Sequence, residues 1–101
     1  MTAYFIAHSN VLDPNLLNEY VEKSGPIVSR CGGQLITVGE VTEVMVGSFN
    51  YQRCAVFKFP DTKSMDRWFH DPEYQALANL RGRAADMVFL KVSEYPGLFE
   101  N

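Results

Sequence analysis

The 101-residue sequence has few of the residues on which catalytic and metal sites are usually built: two cysteines, two histidines and one tryptophan. Cys31 and Cys54 are too far apart for a redox pair or a metal-ligand spacing, so we expect two reduced thiols in a cytoplasmic protein. Neither histidine has a carboxylate at ligand spacing, and the chain has no glycine-rich phosphate loop. We therefore predict no metal site and no cofactor.

Basic residues are also scarce, with nine lysines and arginines against twelve acidic residues and a formal charge of -3. An acidic chain without a basic aromatic surface argues against nucleic acid as a partner. The chain has no long apolar run and no signal-peptide pattern, so we predict no membrane partner. Hydrophobic residues make up 47% of the chain, which excludes disorder, and its length suits a single domain over residues 1–101.

The hydrophobic periodicity predicts the order strand, helix, strand, strand, split helix, strand. Asp13-Pro14 and Asp71-Pro72 are typical helix starts, and Gly25-Pro26 predicts a kink within the first helix. We expect Gly39-Glu40 to form the turn of a hairpin, and Gly82 to end the last helix. The predicted strands are residues 3–9, 34–38, 41–49, 53–59 and 87–92, which is one more than this order contains. The extra β-prone residues either divide the second and third strands or add a short edge strand.

This order predicts the ferredoxin-like βαββαβ fold of the α+β class, a four-stranded antiparallel sheet with both helices on one face. The second face should be polar in a monomer. In this chain the apolar residues of one face alternate with other apolar residues along the strands, so both faces of the sheet are predicted to be hydrophobic. A large uncovered apolar patch is rare on soluble monomers. We therefore predict a homodimer whose sheets face each other as a barrel, with Leu98 and Phe99 lying over the neighbouring subunit. The residues assigned to the uncovered face are Tyr4, Ile6, Val56, Met87 and Phe89.

Several segments together are similar to those of a known family. They include Tyr4–His8, Asp13-Pro14 with Tyr20, Pro26 before Gly32-Gly33, Phe59-Pro60 and the run Trp68–Gln75. The most specific is Pro72-Glu73-Tyr74-Gln75 with Arg81 about two turns later. On these residues the chain resembles the domain of unknown function 1330 family of the dimeric α+β barrel superfamily, with departures at Glu40 and at 69–71.

The resemblance implies a ferredoxin-like dimer without a settled activity. Other members of the superfamily include cofactor-free monooxygenases, lactone isomerases and polyketide cyclases. By analogy with them, the resemblance implies a small hydrophobic metabolite as ligand.

Three residues are candidates for catalysis. His8, near the end of the first strand, has a side chain suited to a general base, although a hydrogen-bonded histidine at the dimer interface is the alternative. Arg53 and Arg81 are both expected to point toward the helix–sheet core, where an arginine needs an anion. That anion is either a glutamate (Glu40, Glu43 or Glu73) or the carboxylate of a ligand.

A cleft between helices and sheet is predicted because Ala3, Ala7 and Ala55 are small and face aromatic residues. The residues predicted to line it and bind substrate are Tyr20, Phe57, Trp68 and Tyr74, with His8 or an arginine at the mouth. Two functions remain open at this point. One is a cofactor-independent enzyme that converts a small hydrophobic metabolite by proton transfer, in isomerase, cyclase or oxygenase-type chemistry. The other is a non-catalytic homodimeric module that binds a ligand or serves a structural role.

Overall fold

The computed structural model describes residues 1–95, which form one antiparallel sheet with its helices on one face. The strand order is β2-β3-β1-β4, and every neighbouring pair is antiparallel. This confirms the predicted ferredoxin-like α+β fold. The strands are β1 (Ala3–Val11), β2 (Gln34–Glu40), β3 (Arg53–Phe59) and β4 (Ala85–Ser93), and the helices are α1 (Pro14–Arg30), α2 (Thr62–Phe69), α3 (Pro72–Gln75) and α4 (Ala78–Ala84).

The helix starts lie at the two predicted Asp-Pro pairs. The Asp13 carboxylate accepts from the backbone N–H of Asn15 at 3.0 Å, and that of Asp71 accepts from Glu73 at 2.8 Å. Helix α1 continues through Pro26 as one helix, as expected. It ends before Gly33, where an added Cβ would lie 2.5 Å from Val28 and 2.7 Å from Phe59, so only glycine fits there.

The predicted strand at 41–49 is wrong, and so is the turn predicted at Gly39-Glu40. Strand β2 runs on through Glu40, which pairs with Arg53 of β3, so no hairpin forms at that point. Residues 41–52 are instead a loop joining β2 to β3. Asn10 of β1 holds the loop, because its amide donates to the Asn50 carbonyl and accepts from the Gln52 N–H, both at 2.9 Å. Hydrophobic alternation alone did not distinguish this apolar loop from a strand.

Two further boundaries differ from the prediction. Gly82 lies inside α4 instead of ending it, and β4 begins directly after α4 at Ala85. The segment predicted as one helix after Asp71 is divided into α3 and α4. The last residues of the chain, which include Leu98 and Phe99, lie outside the described residues.

The covered face of the sheet carries the core. Its centre is an aromatic cluster in which the ring of Trp68 lies 4.6 Å from that of Phe5 and 4.7 Å from that of Tyr74, measured between centroids. Phe89 packs against Phe5 at 4.6 Å, so the assignment of Phe89 and Met87 to the uncovered face is wrong. Register explains the error: Phe89 pairs with Ala7, and in-register pairs lie on one side of a sheet.

The other side of the sheet is called the open face, because no helix lies on it. Ile6 is at its centre, with Val56 of β3 and Leu90 of β4 as its in-register neighbours. Leu90 is 43% exposed within the single chain. No helix within residues 1–95 is long and apolar enough to cross a bilayer. The apolar residues of the open face are Tyr4, Ile6, Val56, Val88, Leu90 and Val92.

Candidate functional site

A cavity of about 330 Å³ lies between α1 and the covered face of the sheet. Its floor is formed at the in-register pair Ala7 and Ala55, whose small side chains leave space beneath the helix. We call this cavity the α1 cleft. Small-molecule sites are usually mostly apolar cavities of this order, about 300–1,000 Å³. The principal lining residues are Phe5, Ala7, Ala55, Phe57 and Trp68 below, Leu17, Tyr20, Val21, Ser24 and Val28 above, and Ser9, Leu35, Val38 and Arg53 toward the β2–β3 side.

Three of the four residues predicted to line the cleft do so. Tyr20, Phe57 and Trp68 are in its wall, whereas Tyr74 lies behind Tyr20 and does not face it. Of the three predicted alanines, Ala7 and Ala55 face the cleft and Ala3 does not. Whether these residues bind a ligand stays a prediction.

A chain of hydrogen bonds runs behind the cleft wall from Arg81 to Tyr20. The Arg81 Nη1 donates to the Tyr74 hydroxyl at 3.0 Å, and the hydroxyls of Tyr74 and Tyr20 are 2.6 Å apart. Arginine only donates, so the Tyr74 oxygen accepts from Arg81, and either hydroxyl can be the donor in the hydrogen bond between the two tyrosines.

Burial raises the pKa of the Tyr20 hydroxyl far above its ordinary value, and the neighbouring Tyr74 raises it further, while Arg81 offsets part of the shift. Tyr20 is therefore a neutral phenol, suited to donating a hydrogen bond and not to abstracting a proton. Arg81 forms none of the predicted glutamate ion pairs within the described part of the chain. Its guanidinium carbon lies 5.3 Å from the Phe89 ring centroid, in a cation–π contact.

Arg53 is at the polar end of the α1 cleft. It is half-buried and pairs in register with Ser9 of β1 and Glu40 of β2. It also lines a second cavity of about 320 Å³, to which Ser9 and Glu40 contribute as well. The buried Ser9 Oγ has no hydrogen-bond partner among the described residues. This end of the cleft thus holds polar groups whose hydrogen-bonding capacity is unused.

His8 is not at the mouth of the cleft, contrary to expectation. Ala7 and Ser9 face the cleft, so the residue between them on β1 points to the open face. There its ring packs 4.8 Å from that of Phe49 in the 41–52 loop, and its Nδ1 is buried without a partner among residues 1–95. A catalytic role for His8 stays a prediction, and the structure separates this residue from the cleft.

Sequence reasoning missed several lining residues, among them Ser9 and the β2 pair Leu35 and Val38. Strand alternation predicts Ser9, since it is the next residue after Ala7 on the same face. Leu35 and Val38 are an odd number of positions apart, so in a regular strand they would face opposite ways. A bulge between Leu35 and Thr37 turns both toward the cleft. Within the described residues, no group of three histidine, cysteine or acidic side chains is placed to hold a metal ion.

The sheet order and the single covered face define a ferredoxin-like α+β protein. Solved structures of the same fold include a protein of unknown function from Rhodopseudomonas palustris, with 16% identity, coverage of 93% of this chain and 82% of that one, and a TM-score of 0.76. SnoaB, a cofactor-independent oxygenase from Streptomyces nogalater, has 12% identity, 98% coverage of both chains and a TM-score of 0.68. A DABB family protein with a ferredoxin-like fold from Mesorhizobium loti has 10% identity, coverage of 93% and 97%, and a TM-score of 0.62.

The family itself follows from the sequence match. The model of the domain of unknown function DUF1330 matches residues 2–95, so the chain belongs to that family. No curated protein sequence matches the chain closely enough to count as a relative.

Proposed function

We propose that this protein binds a small, mostly apolar metabolite in the α1 cleft, and that it does so as a homodimer. The observation that carries the proposal is the cleft itself, about 330 Å³ of space beside the core with an apolar wall and one polar end. A packed interior leaves few voids larger than a water molecule. A cavity of this size at the alanine pair of the sheet is therefore what a ligand site requires.

The homodimer is supported by the open face. Leu90, Val88 and Val92 are 43%, 36% and 39% exposed in the single chain, and they form one continuous surface with Ile6. A second copy of the same face, related by a two-fold axis, would cover this surface with apolar groups. We also propose a cytoplasmic location, which the free thiols of Cys31 and Cys54 support.

Conversion of the ligand is the second candidate function, and one observation favours it. Tyr20 lines the cleft and burial keeps its phenol neutral, so it retains a proton that it can donate to an oxygen atom gaining negative charge during a reaction, once the Tyr20 hydroxyl exchanges its hydrogen bond with Tyr74 for one to the ligand. His8, the expected base, lies on the opposite face. Binding without conversion is thus the function that the geometry supports best.

The test is to fill the cleft. In Ala55→Phe the new ring occupies the floor of the α1 cleft, whereas Ala76→Phe makes the same change at an exposed position after α3. The probe is N-phenyl-1-naphthylamine, and its binding is followed by energy transfer from Trp68, the one tryptophan of the chain. We expect Ala55→Phe to weaken probe binding at least about tenfold, since it removes the space the probe would occupy, and Ala76→Phe to leave it unchanged.

Circular dichroism and a thermal melt show whether both variants fold. An Ala55→Phe protein that folds and binds the probe as tightly as the parent would overturn the proposal. So would a parent protein that does not bind the probe.

A further inference from the structure

We propose, resting on the proposed function, that the α1 cleft takes an apolar acid carrying a single negative charge, and that Arg53 is the residue that selects it. Arg53 lies where the apolar wall of the cleft ends. On the covered face it belongs to a cross-strand row with Glu40 on one side and Ser9 on the other. Among the described residues that line the cleft, Arg53 is the one arginine.

The first argument is the missing partner of Arg53. Residues 1–95 contain ion pairs at Lys23, Arg30 and Lys91, but none at Arg53. Arg30, Arg67 and Arg81 donate side-chain hydrogen bonds, and Arg53 donates none within this part of the chain. Arginine is seldom buried without an anion, and Arg53 is already partly buried at the end of the cleft. Since its guanidinium has no ion pair or side-chain hydrogen bond within residues 1–95, its N–H donors are free to bind an anionic ligand.

The second argument is the neighbouring serine. Ser9 is 1% exposed, it pairs in register with Arg53, and its Oγ has no partner among the described residues. Buried polar groups almost always have a hydrogen-bond partner. The unpaired Ser9 hydroxyl next to the partly buried Arg53 guanidinium, at the end of an apolar cavity, matches the two oxygens of a carboxylate, one accepting from the guanidinium and the other from the hydroxyl.

The third argument concerns the number of charges. Arg53 supplies one positive charge, and Glu40 next to it on β2 supplies a negative one. Arg53 balances one negative charge of a ligand, whereas a phosphate dianion would keep a second charge unbalanced next to Glu40, so the site favours a monoanion. Beyond this polar end the lining of Ala55, Phe57 and Val38 accepts an apolar body. The ligand class is thus an aromatic or branched aliphatic acid.

The experiment uses two fluorescent probes that share one ring skeleton. 1-Anilinonaphthalene-8-sulfonate carries one negative charge, and N-phenyl-1-naphthylamine is the same molecule without the sulfonate. In Arg53→Gln we expect the anionic probe to bind about tenfold more weakly, the usual scale for losing a charge-assisted hydrogen bond. The neutral probe should bind within about twofold of the parent. Arg83→Gln makes the same change on exposed Arg83 and should alter neither probe.

A second pair of variants keeps the test decisive if Arg53→Gln folds poorly. Glu40→Gln removes the nearby negative charge and should tighten binding of the anionic probe by about twofold to fivefold, the scale of an exposed charge pair. Arg53→Lys retains the charge and should retain most of the preference for the anionic probe. If the anionic probe binds all these variants as it binds the parent, or if both probes weaken equally, Arg53 is not the selecting residue.

The two proposals fail in different ways. If neither probe is sensitive to Ala55→Phe, the cleft does not bind ligands and the proposed function is wrong. If both probes bind in the cleft without discrimination by Arg53, the proposed function stands and only the acid selectivity is wrong. Probe that binds to the open face can be distinguished from probe in the cleft, because binding to the open face is unchanged in Ala55→Phe.

Discussion

The two faces of the sheet use the same strands and satisfy their apolar residues in opposite ways. On the covered face the core closes tightly around Trp68 but leaves a cavity at Ala7 and Ala55. On the open face the side chains around Ile6 are apolar and have no cover within residues 1–95 apart from the 41–52 loop over His8. The covered face thus buries its apolar residues within the described chain and still leaves a cavity, whereas the open face leaves its apolar residues exposed, which is why we propose a second copy as its cover.

The largest effect is expected at the aromatic cluster of the covered face. Trp68 is 2% exposed and contacts the rings of Phe5, Phe59 and Tyr74. Trp68→Ala should lower the free energy of unfolding by about 3–5 kcal/mol, the range for deleting a buried aromatic side chain. Urea unfolding followed by circular dichroism measures the change. A decrease of less than about 1 kcal/mol in the free energy of unfolding would show that Trp68 does not stabilise the covered face as a buried core residue does.

The next effect tests the open face. In Leu90→Glu a charge replaces a residue that is 43% exposed in the single chain, so the monomer should still fold. Two such charges buried in a sheet-to-sheet interface would weaken the proposed dimer by about a hundredfold or more, since unpaired buried charges cost several kcal/mol. Sedimentation velocity over a concentration series measures the shift.

The control for the open face is Leu12→Glu, which places the same charge at a 63% exposed position before α1 and should leave the dimer intact. If the parent protein sediments as a monomer, or if Leu90→Glu remains dimeric, the open face does not form the proposed dimer interface.

Most of this fold is predictable because its signals are local. Asp13-Pro14 and Asp71-Pro72 begin helices by capping, which involves neighbouring residues only. Assignment of Phe89 to a face depends on its register with Ala7, and register is set by partners distant in sequence. Val44 and Val46 belong to an alternating apolar pattern that is typical of a strand, but no strand within residues 1–95 pairs with them. Pairing, like register, depends on residues that are distant in sequence.

The residues of the candidate site can be predicted from the sequence only where they lie on regularly alternating strands. Small residues at Ala7 and Ala55 indicate a cleft, and alternation already assigns His8 to the face with Tyr4 and Ile6, away from that cleft. Val38 faces the cleft because of a bulge in β2, and no residue in the sequence indicates that bulge. The contact between Tyr20 and Tyr74 joins α1 to α3 and follows from tertiary packing alone.

A smaller effect is expected behind the cleft wall. Tyr74→Phe removes the hydroxyl that joins Arg81 to Tyr20 and leaves both without this partner. Leaving buried polar groups unpaired should lower the free energy of unfolding by about 1–3 kcal/mol. Tyr95→Phe removes the same hydroxyl from a 76% exposed side chain and should change almost nothing. Equal effects from the two variants would show that the hydrogen-bond chain does not stabilise the covered face.

The smallest effect lies at the outer edge of the helix layer, where Asp71 joins α1 to the start of α3. Arg30 donates to its carboxylate at 2.7 Å, and this hydrogen bond lowers the pKa of Asp71 below its ordinary value, with a further contribution from the Glu73 N–H. A carboxyl with a lowered pKa stabilises the fold above its unfolded-state pKa, near about 4, and loses that contribution as the pH falls through its folded-state pKa. Asp71→Asn should therefore be slightly less stable than the parent at pH 7, and the two proteins should converge in acid.

The matched control is Asp13→Asn, because Asp13 caps α1 in the same way but forms no ion pair among the described residues. Asparagine also caps helices well, so the two variants differ mainly in the lost attraction to Arg30. This attraction lies at the surface and is weakened by salt. The stability difference for Asp71→Asn should accordingly shrink in high salt, while that for Asp13→Asn stays nearly constant. Identical salt responses in thermal melts of the two variants would mean that the pairing of Asp71 with Arg30 does not help to hold α1 over the cleft.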